Sequence, residues 1–162
     1  MTQPTVRELL RRRVTTELAG EIRELWKNHS LAEDRRDIPG LLATLTDDCV
    51  YECVTTGHRW EGHAGAETFY RQLLSAFPDI KFKLTDIVIG SQGVCEEAIA
   101  TATQEQPWLG YQAVGRQVEF TVVIFFPWDE GRRLFRGEKI YLHPAPSVKE
   151  GDHAGVGWAP PT

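Results

Sequence analysis

Three observations predict one α+β domain in which helices come first and a curved, mostly antiparallel sheet follows. Apolar residues recur every three to four positions from Val6 to His29, the spacing of one helical face. After Pro78 the pattern changes to runs rich in Val, Ile, Thr and Phe, separated by turn residues. The chain of 162 residues, 41% hydrophobic and 25% charged, has the balance of a single compact unit.

The first helix carries Val6, Leu10, Leu18, Ile22, Trp26 and His29 on its apolar face. Thr5 followed by Glu8 fits a capping box at its start, and Gly20 is the expected break or kink. Asp37 caps a short second helix, where Pro39 is tolerated in the first turn and Leu41, Leu42 and Leu45 are available for burial. A third helix over 66–77 lays Phe69, Tyr70, Leu73, Leu74 and Phe77 on one face and ends at Pro78. Strands are expected at 49–54, 81–89, 94–104, 117–126 and 134–142. Ser91-Gln92-Gly93 and Asp129-Glu130-Gly131 read as hairpin connections, so the later strands form an antiparallel meander. The domain is expected to span 1–143. Residues 144–162, with Pro144, Pro146, Pro160 and Pro161, read as an extension, either mobile or packed over a cleft or a partner through Val156 and Trp158.

The net charge of −5, with no face-wide basic stripe, argues against a nucleic-acid partner. The longest apolar run, 122–127, is far short of the roughly 18 residues of a membrane span. Met1-Thr2-Gln3-Pro4 begins no apolar signal core. Cys49, Cys53 and Cys95 are an odd number without metal-ligand pairing, the usage of a reducing compartment, so a cytoplasmic location is expected. On one strand Cys49 and Cys53 would stand roughly 13 Å apart, too far for a disulfide.

Six strings, in order, resemble the SnoaL-like polyketide cyclases of the nuclear-transport-factor-two-like superfamily. They are Leu45-Thr46-Asp47-Asp48-Cys49-Val50-Tyr51-Glu52, Trp60-Glu61-Gly62-His63, Phe69-Tyr70, Ala76-Phe77-Pro78-Asp79, Gly115-Arg116-Gln117-Val118-Glu119 and Gly137-Glu138-Lys139-Ile140-Tyr141. The resemblance covers residues 20–143. It implies a cone-shaped barrel in which the sheet, wrapped by the three helices, curls around one deep apolar pocket, often in a homodimer. It does not fix the activity, since the superfamily includes cyclases, isomerases, epoxide hydrolases and non-catalytic modules.

Strand alternation from Leu134 puts Arg136, Glu138, Ile140 and Leu142 on one face, a carboxylate among apolar neighbours. In the family a carboxylate from the last part of the sheet is the general acid/base, which implies that role for Glu138; the alternative is a structural ion pair with Arg136 or Arg116. His29, one turn after Trp26, is either a satisfied core histidine or a proton carrier; Glu33 one turn later, or Glu138 across the pocket, would complete a shuttle. Tyr51 can bond a substrate carbonyl or merely line the core. Its neighbour Cys53 stands where related ketosteroid isomerases carry the catalytic aspartate, which disfavours that mechanism. Ala98, Ala100 and Ala102 leave space along one strand face that ends in Gln104, where many relatives have a histidine; an amide there can orient a carbonyl. Trp60 and Trp108 suit a flat aromatic ligand or a dimer interface. His58 and His63 with Glu61 lack metal-ligand spacing, so no metal is expected.

The sequence therefore predicts a cofactor-independent acid/base enzyme of cyclase or isomerase type, acting on a small apolar or aromatic carbonyl compound. Glu138 and His29 are the catalytic pair, and Tyr51, Trp60, Gln104, Trp108 and Trp26 contact substrate. The rival is a non-catalytic ligand-binding or dimeric interaction module of the same fold.

Overall fold

A computed structural model describes residues 4–148. Four helices and six strands follow one another: α1 (Val6–Arg11), α2 (Thr16–Asp34), α3 (Ile38–Leu42), β1 (Leu45–Cys53), β2 (His58–Glu61), α4 (Gly62–Ala76), β3 (Lys81–Gly90), β4 (Gly93–Thr103), β5 (Gln117–Asp129) and β6 (Leu134–Val148). The expected first helix is thus two. The capping box of Thr5 and Glu8 starts α1, but the chain turns extended at Arg12 and α2 begins afresh, with the Thr15 hydroxyl accepting from the Leu18 amide. A β-branched, cap-favouring run, Val14-Thr15-Thr16, breaks the helix where Gly20 does not. Asp37 caps α3 as expected, accepting from the Gly40 amide at 3.0 Å.

The strands form one curved, unclosed sheet in the order β2-β1-β6-β5-β4-β3. Every neighbouring pair is antiparallel except β1 with β6, which run parallel. β2 falls where the sequence suggested only a turn, and it sets Trp60 opposite Tyr51. β6 continues as strand to Val148, past the expected boundary at 143, pairing Val148 with Val118 of β5. Residues 149–162, and with them most of the expected extension, lie outside the described residues. α4 packs on β1, and α2 lies against β3 and β4. Between helices and sheet sit the alternating inward residues of β5, from Val118 to Trp128, and the Ala98, Ala100, Ala102 row of β4.

Of the places where strict alternation fails, the one in β6 shapes the site. Phe125 and Trp128 of β5, three residues apart, face Lys139 and Phe135, four apart, so β6 holds one extra residue. The bulge changes the parity of the strand. Phe135 and Glu138 both point inward with Ile140 and Leu142, while Arg136 is half-buried and does not join Glu138 as the simple alternation required. Gly137 makes this possible. Its φ is +108°, and a Cβ there would lie 2.0 Å from the Val50 carbonyl oxygen of the parallel strand.

Gly137→Ala should therefore destabilise the protein by at least about 3 kcal/mol, because backbone has to move. Gly57→Ala, at a positive φ but with open space around it, should cost only about 1–2 kcal/mol. Urea unfolding of both variants checks the difference.

Candidate active site

α2 places Trp26, His29 and Glu33 on one stripe, at spacings of three and four. Tyr70 arrives from α4, Tyr51 from β1, Thr44 from the turn before β1, and Glu138 from the far side on β6. His29, Tyr51, Tyr70, Thr44 and Glu138 are all buried. The edges of Phe126 and Phe135 face the imidazole at ring-centroid distances of 5.3 and 6.4 Å, so its surroundings are otherwise apolar.

Buried polar groups must bond each other, and here they do so in a chain. The Thr44 hydroxyl donates to the Leu41 carbonyl oxygen at 2.7 Å, which leaves its oxygen to accept from His29 Nδ1–H at 2.6 Å. With that proton assigned to Nδ1 by the bonding pattern, His29 Nε2 is the atom that meets Glu138 Oε1 at 3.0 Å and Tyr70 Oη at 3.0 Å. The contact needs one shared proton, as imidazolium on carboxylate or as carboxylic acid on imidazole. Tyr70 donates a second bond to Glu138 Oε1 at 2.8 Å, and the Tyr51 hydroxyl joins Tyr70 at 3.0 Å. Both of these bonds to Glu138 fall on Oε1, the Tyr51 hydroxyl also hydrogen-bonds to the same carboxyl, and Glu138 borders the cavity.

That cavity is narrow. About 20 Å³ is open to the centre of a water-sized sphere, room for a water or two. Its wall consists of ten apolar side chains, among them Phe69, Trp108, Phe120 and Ile124, and of two carboxyls, Glu33 and Glu138. Burial pushes the Tyr51 and Tyr70 phenols well above their ordinary range, with the Glu138 charge adding to it, so both stay neutral donors. Burial likewise raises the Glu33 carboxyl well above the usual carboxylate range, reinforced by the charges of Glu138, Glu96 and Asp34. Glu96 rises to about 7, mainly through burial and in part through Glu138, against the opposing hydrogen bond from Trp26 Nε1 at 2.6 Å.

Glu138 and His29, paired on sequence grounds, are in direct contact, and Glu138 is held by His29 and Tyr70 and not by an arginine. Trp108 lines the cavity with its buried indole N–H unpaired. Tyr51 meets both Tyr70 and Glu138. Trp60 is half-buried against Phe69, at 5.1 Å between ring centroids, and Trp26 spends its N–H on Glu96. Gln104 is turned away: its amide nitrogen lies 3.4 Å from the carbonyl oxygens of Gln106 and Tyr111, bracing the loop that carries Trp108. Among the described residues no cluster of three or more His, Cys, Asp or Glu side chains is placed to hold a metal, and no helix is long and apolar enough to cross a membrane.

Tyr70, Thr44 and Glu96 were not recognised as site residues. Tyr70 had a signal, because a tyrosine instead of phenylalanine on an apolar helix face needs a partner for its hydroxyl. Thr44 and Glu96 had none, since their partners come from elements distant in the chain.

A family model of SnoaL-like polyketide cyclases matches residues 17–133. The chain belongs to that family. Solved structures share this SnoaL-like fold. A protein from Jannaschia sp. CCS1, provisionally described as a SnoaL-like polyketide cyclase, superposes with a TM-score of 0.68 at 16% identity, over 82% of this chain and 92% of that one. AclR of Streptomyces galilaeus, provisionally described as a hydroxylase, gives 0.63 at 20% identity, over 79% and 92%. An LEH-like epoxide hydrolase of M. tuberculosis gives 0.56 at 22%, over 76% and 83%. Identities this low show a common fold and carry no activity across. No curated protein matches the chain.

Two outcomes are expected. Thr44→Val strands a buried Nδ1–H and should cost about 1–3 kcal/mol, most of it recovered in Thr44→Ser, as read from thermal and urea unfolding. Because Glu96 is raised from 4.5 to about 7, its ionisation costs stability as pH climbs through that window. Glu96→Gln should match the native melting temperature near pH 4 and exceed it increasingly towards pH 7.

Proposed function

We propose that this SnoaL-like domain is a cofactor-independent acid/base catalyst of cyclase or isomerase type, acting on a small, largely apolar carbonyl compound. The observation that supports it best is the Glu138 carboxyl, buried in an apolar cavity wall and bonded on Oε1 by His29 and Tyr70. Oε2 removes a proton from the carbon beside the carbonyl, the electron pair moves to the carbonyl oxygen as an enolate, and Oε2 returns the proton at another atom. His29 steadies the carboxylate through Nε2 and relays its proton. Tyr51 orders Tyr70 in its role as donor to Glu138. Trp108 borders the ring system, with Trp60 behind Phe69.

The cavity admits a ring only when its lining side chains move apart. The segment 105–116, which carries Trp108, is tied back by backbone bonds from Glu105 to Ala76 and from Gly115 to Gln104 as well as by the two long Gln104 contacts. The narrowness of the cavity and the engaged amide of Gln104 favour the second reading, a non-catalytic ligand-binding module. The proposal also takes the protein as a cytoplasmic homodimer. Unpaired Cys49 and Cys53 suit a reducing compartment, and exposed Leu84, Val88 and Tyr141 offer apolar surface on β3 and β6.

The test is proton–deuterium exchange beside the carbonyl of 2-tetralone in D2O, followed by NMR. The native protein should accelerate exchange, and Glu138→Gln should lower that acceleration by about 10²–10⁴-fold. An unchanged rate in Glu138→Gln, or no acceleration by a native protein that binds the ketone, overturns the catalytic reading in favour of the binding module.

A further inference from the structure

The catalytic scheme above uses one of the two carboxyls in the cavity wall. Glu138 comes from β6 and Glu33 from the last turn of α2, so the two reach one apolar space from opposite layers. Their surroundings differ in kind. Glu138 Oε1 lies within hydrogen-bond distance of both His29 Nε2 and Tyr70 Oη. Glu33 has no such support. The charges around it are those of Glu138 on β6, Glu96 on β4 and its neighbour Asp34, with Tyr70 of α4 beside them, and Arg36 is the weakest influence on it. Two carboxyls at one apolar space, one bonded by a histidine and a tyrosine and the other without a comparable donor, are the pattern of an acid and a base serving one reaction. A third feature of the same wall is the unpaired indole N–H of Trp108, 5% exposed, a donor suited to a ligand oxygen.

We infer that Glu33 is a second catalytic residue, a general acid that gives its proton to a substrate oxygen while Glu138 takes one from the carbon beside the carbonyl. The inference rests on the proposed function and narrows its substrate class to compounds in which an oxygen gains a proton as a carbon loses one. In an aldol-type ring closure the C–H bond breaks and its proton passes to Glu138 Oε2. The electron pair forms the new C–C bond to a second carbonyl carbon, and that carbonyl's oxygen takes the Glu33 proton to become a hydroxyl. In loss of water from a β-hydroxy ketone the same pair forms C=C, the C–O bond breaks, and the hydroxyl leaves with the Glu33 proton as water. Either way Glu33 ends ionised and Glu138 protonated, and one proton carried through solvent restores both.

Two measurements on the full chain test this. In the 2-tetralone exchange, where a proton given by Glu33 to the carbonyl oxygen converts the enolate into the more stable enol, Glu33→Gln should slow the reaction by about 10²-fold. The native pH profile should fall at high pH as Glu33 loses its proton, and that fall should be absent from Glu33→Gln. Infrared spectroscopy of the protein alone at pH 8, above the range of Glu96, should show a neutral carboxyl band that disappears in Glu33→Gln and persists in Glu96→Gln. A Glu33→Gln variant that exchanges at the native rate while Glu138→Gln does not overturns the inference and leaves the proposed function standing. If the native protein does not catalyse exchange, the proposed function fails, and the infrared band decides whether Glu33 is held as an acid. Absence of that band overturns the inference.

Discussion

An imidazole and a carboxyl meet at 3.0 Å in the interior, from residues 109 positions apart in the chain, and both are almost wholly buried. Removing one partner from such a pair leaves a buried polar or charged group unpaired, which typically costs about 3–5 kcal/mol. The surrounding architecture is arranged around keeping both in place. Thr44 fixes the ring from behind and decides which nitrogen faces the carboxyl. Tyr70 and Tyr51 fill the remaining bonding capacity, and the Phe126 and Phe135 edges keep the contact dry. The bulge at Gly137 is the backbone counterpart. With regular alternation from Phe135, Glu138 would turn to the outer face, and the buried His29 would lose its carboxyl and keep only Thr44 and Tyr70.

Much of this was legible in the sequence. The change from helical to strand spacing after Pro78 located the layers, and the six family strings led to the family that the domain belongs to. His29 and Glu138 were legible because a polar residue on an apolar face is conspicuous. What escaped has physical reasons. The split between α1 and α2 depends on a threonine cap outcompeting a helix whose apolar spacing runs straight through it. The bulge is invisible to a period-two reading, because a glycine in a strand says only that something irregular can happen there. Thr44 and Glu96 take their roles from Leu41, His29 and Trp26, and only the packing brings α2 against those strands.

The site itself is a study in unequal environments. Three carboxyls, Glu33, Glu96 and Glu138, lie close enough to feel one another, yet each is bonded differently: one by a histidine and a tyrosine, one by an indole, one by no comparable donor. Burial raises Glu33 and Glu96 alike, and the hydrogen bond from Trp26 opposes it at Glu96. Sequence supplies the carboxyls, and the fold gives each its bonding partners.

The parallel pairing of β1 with β6 bears on how the protein comes to be active. A sheet that joins its first strand to its last has many contacts between residues far apart in sequence, a topology that folds slowly. Until β6 docks, Tyr70 and His29 face a gap where the carboxyl belongs, and the apolar wall lacks Ile140 and Leu142. On a ribosome the helices and first strands emerge well before that strand does. The buried cluster is therefore completed in one step when β6 docks, and a chain without that strand in place lacks Glu138 and part of the apolar wall together.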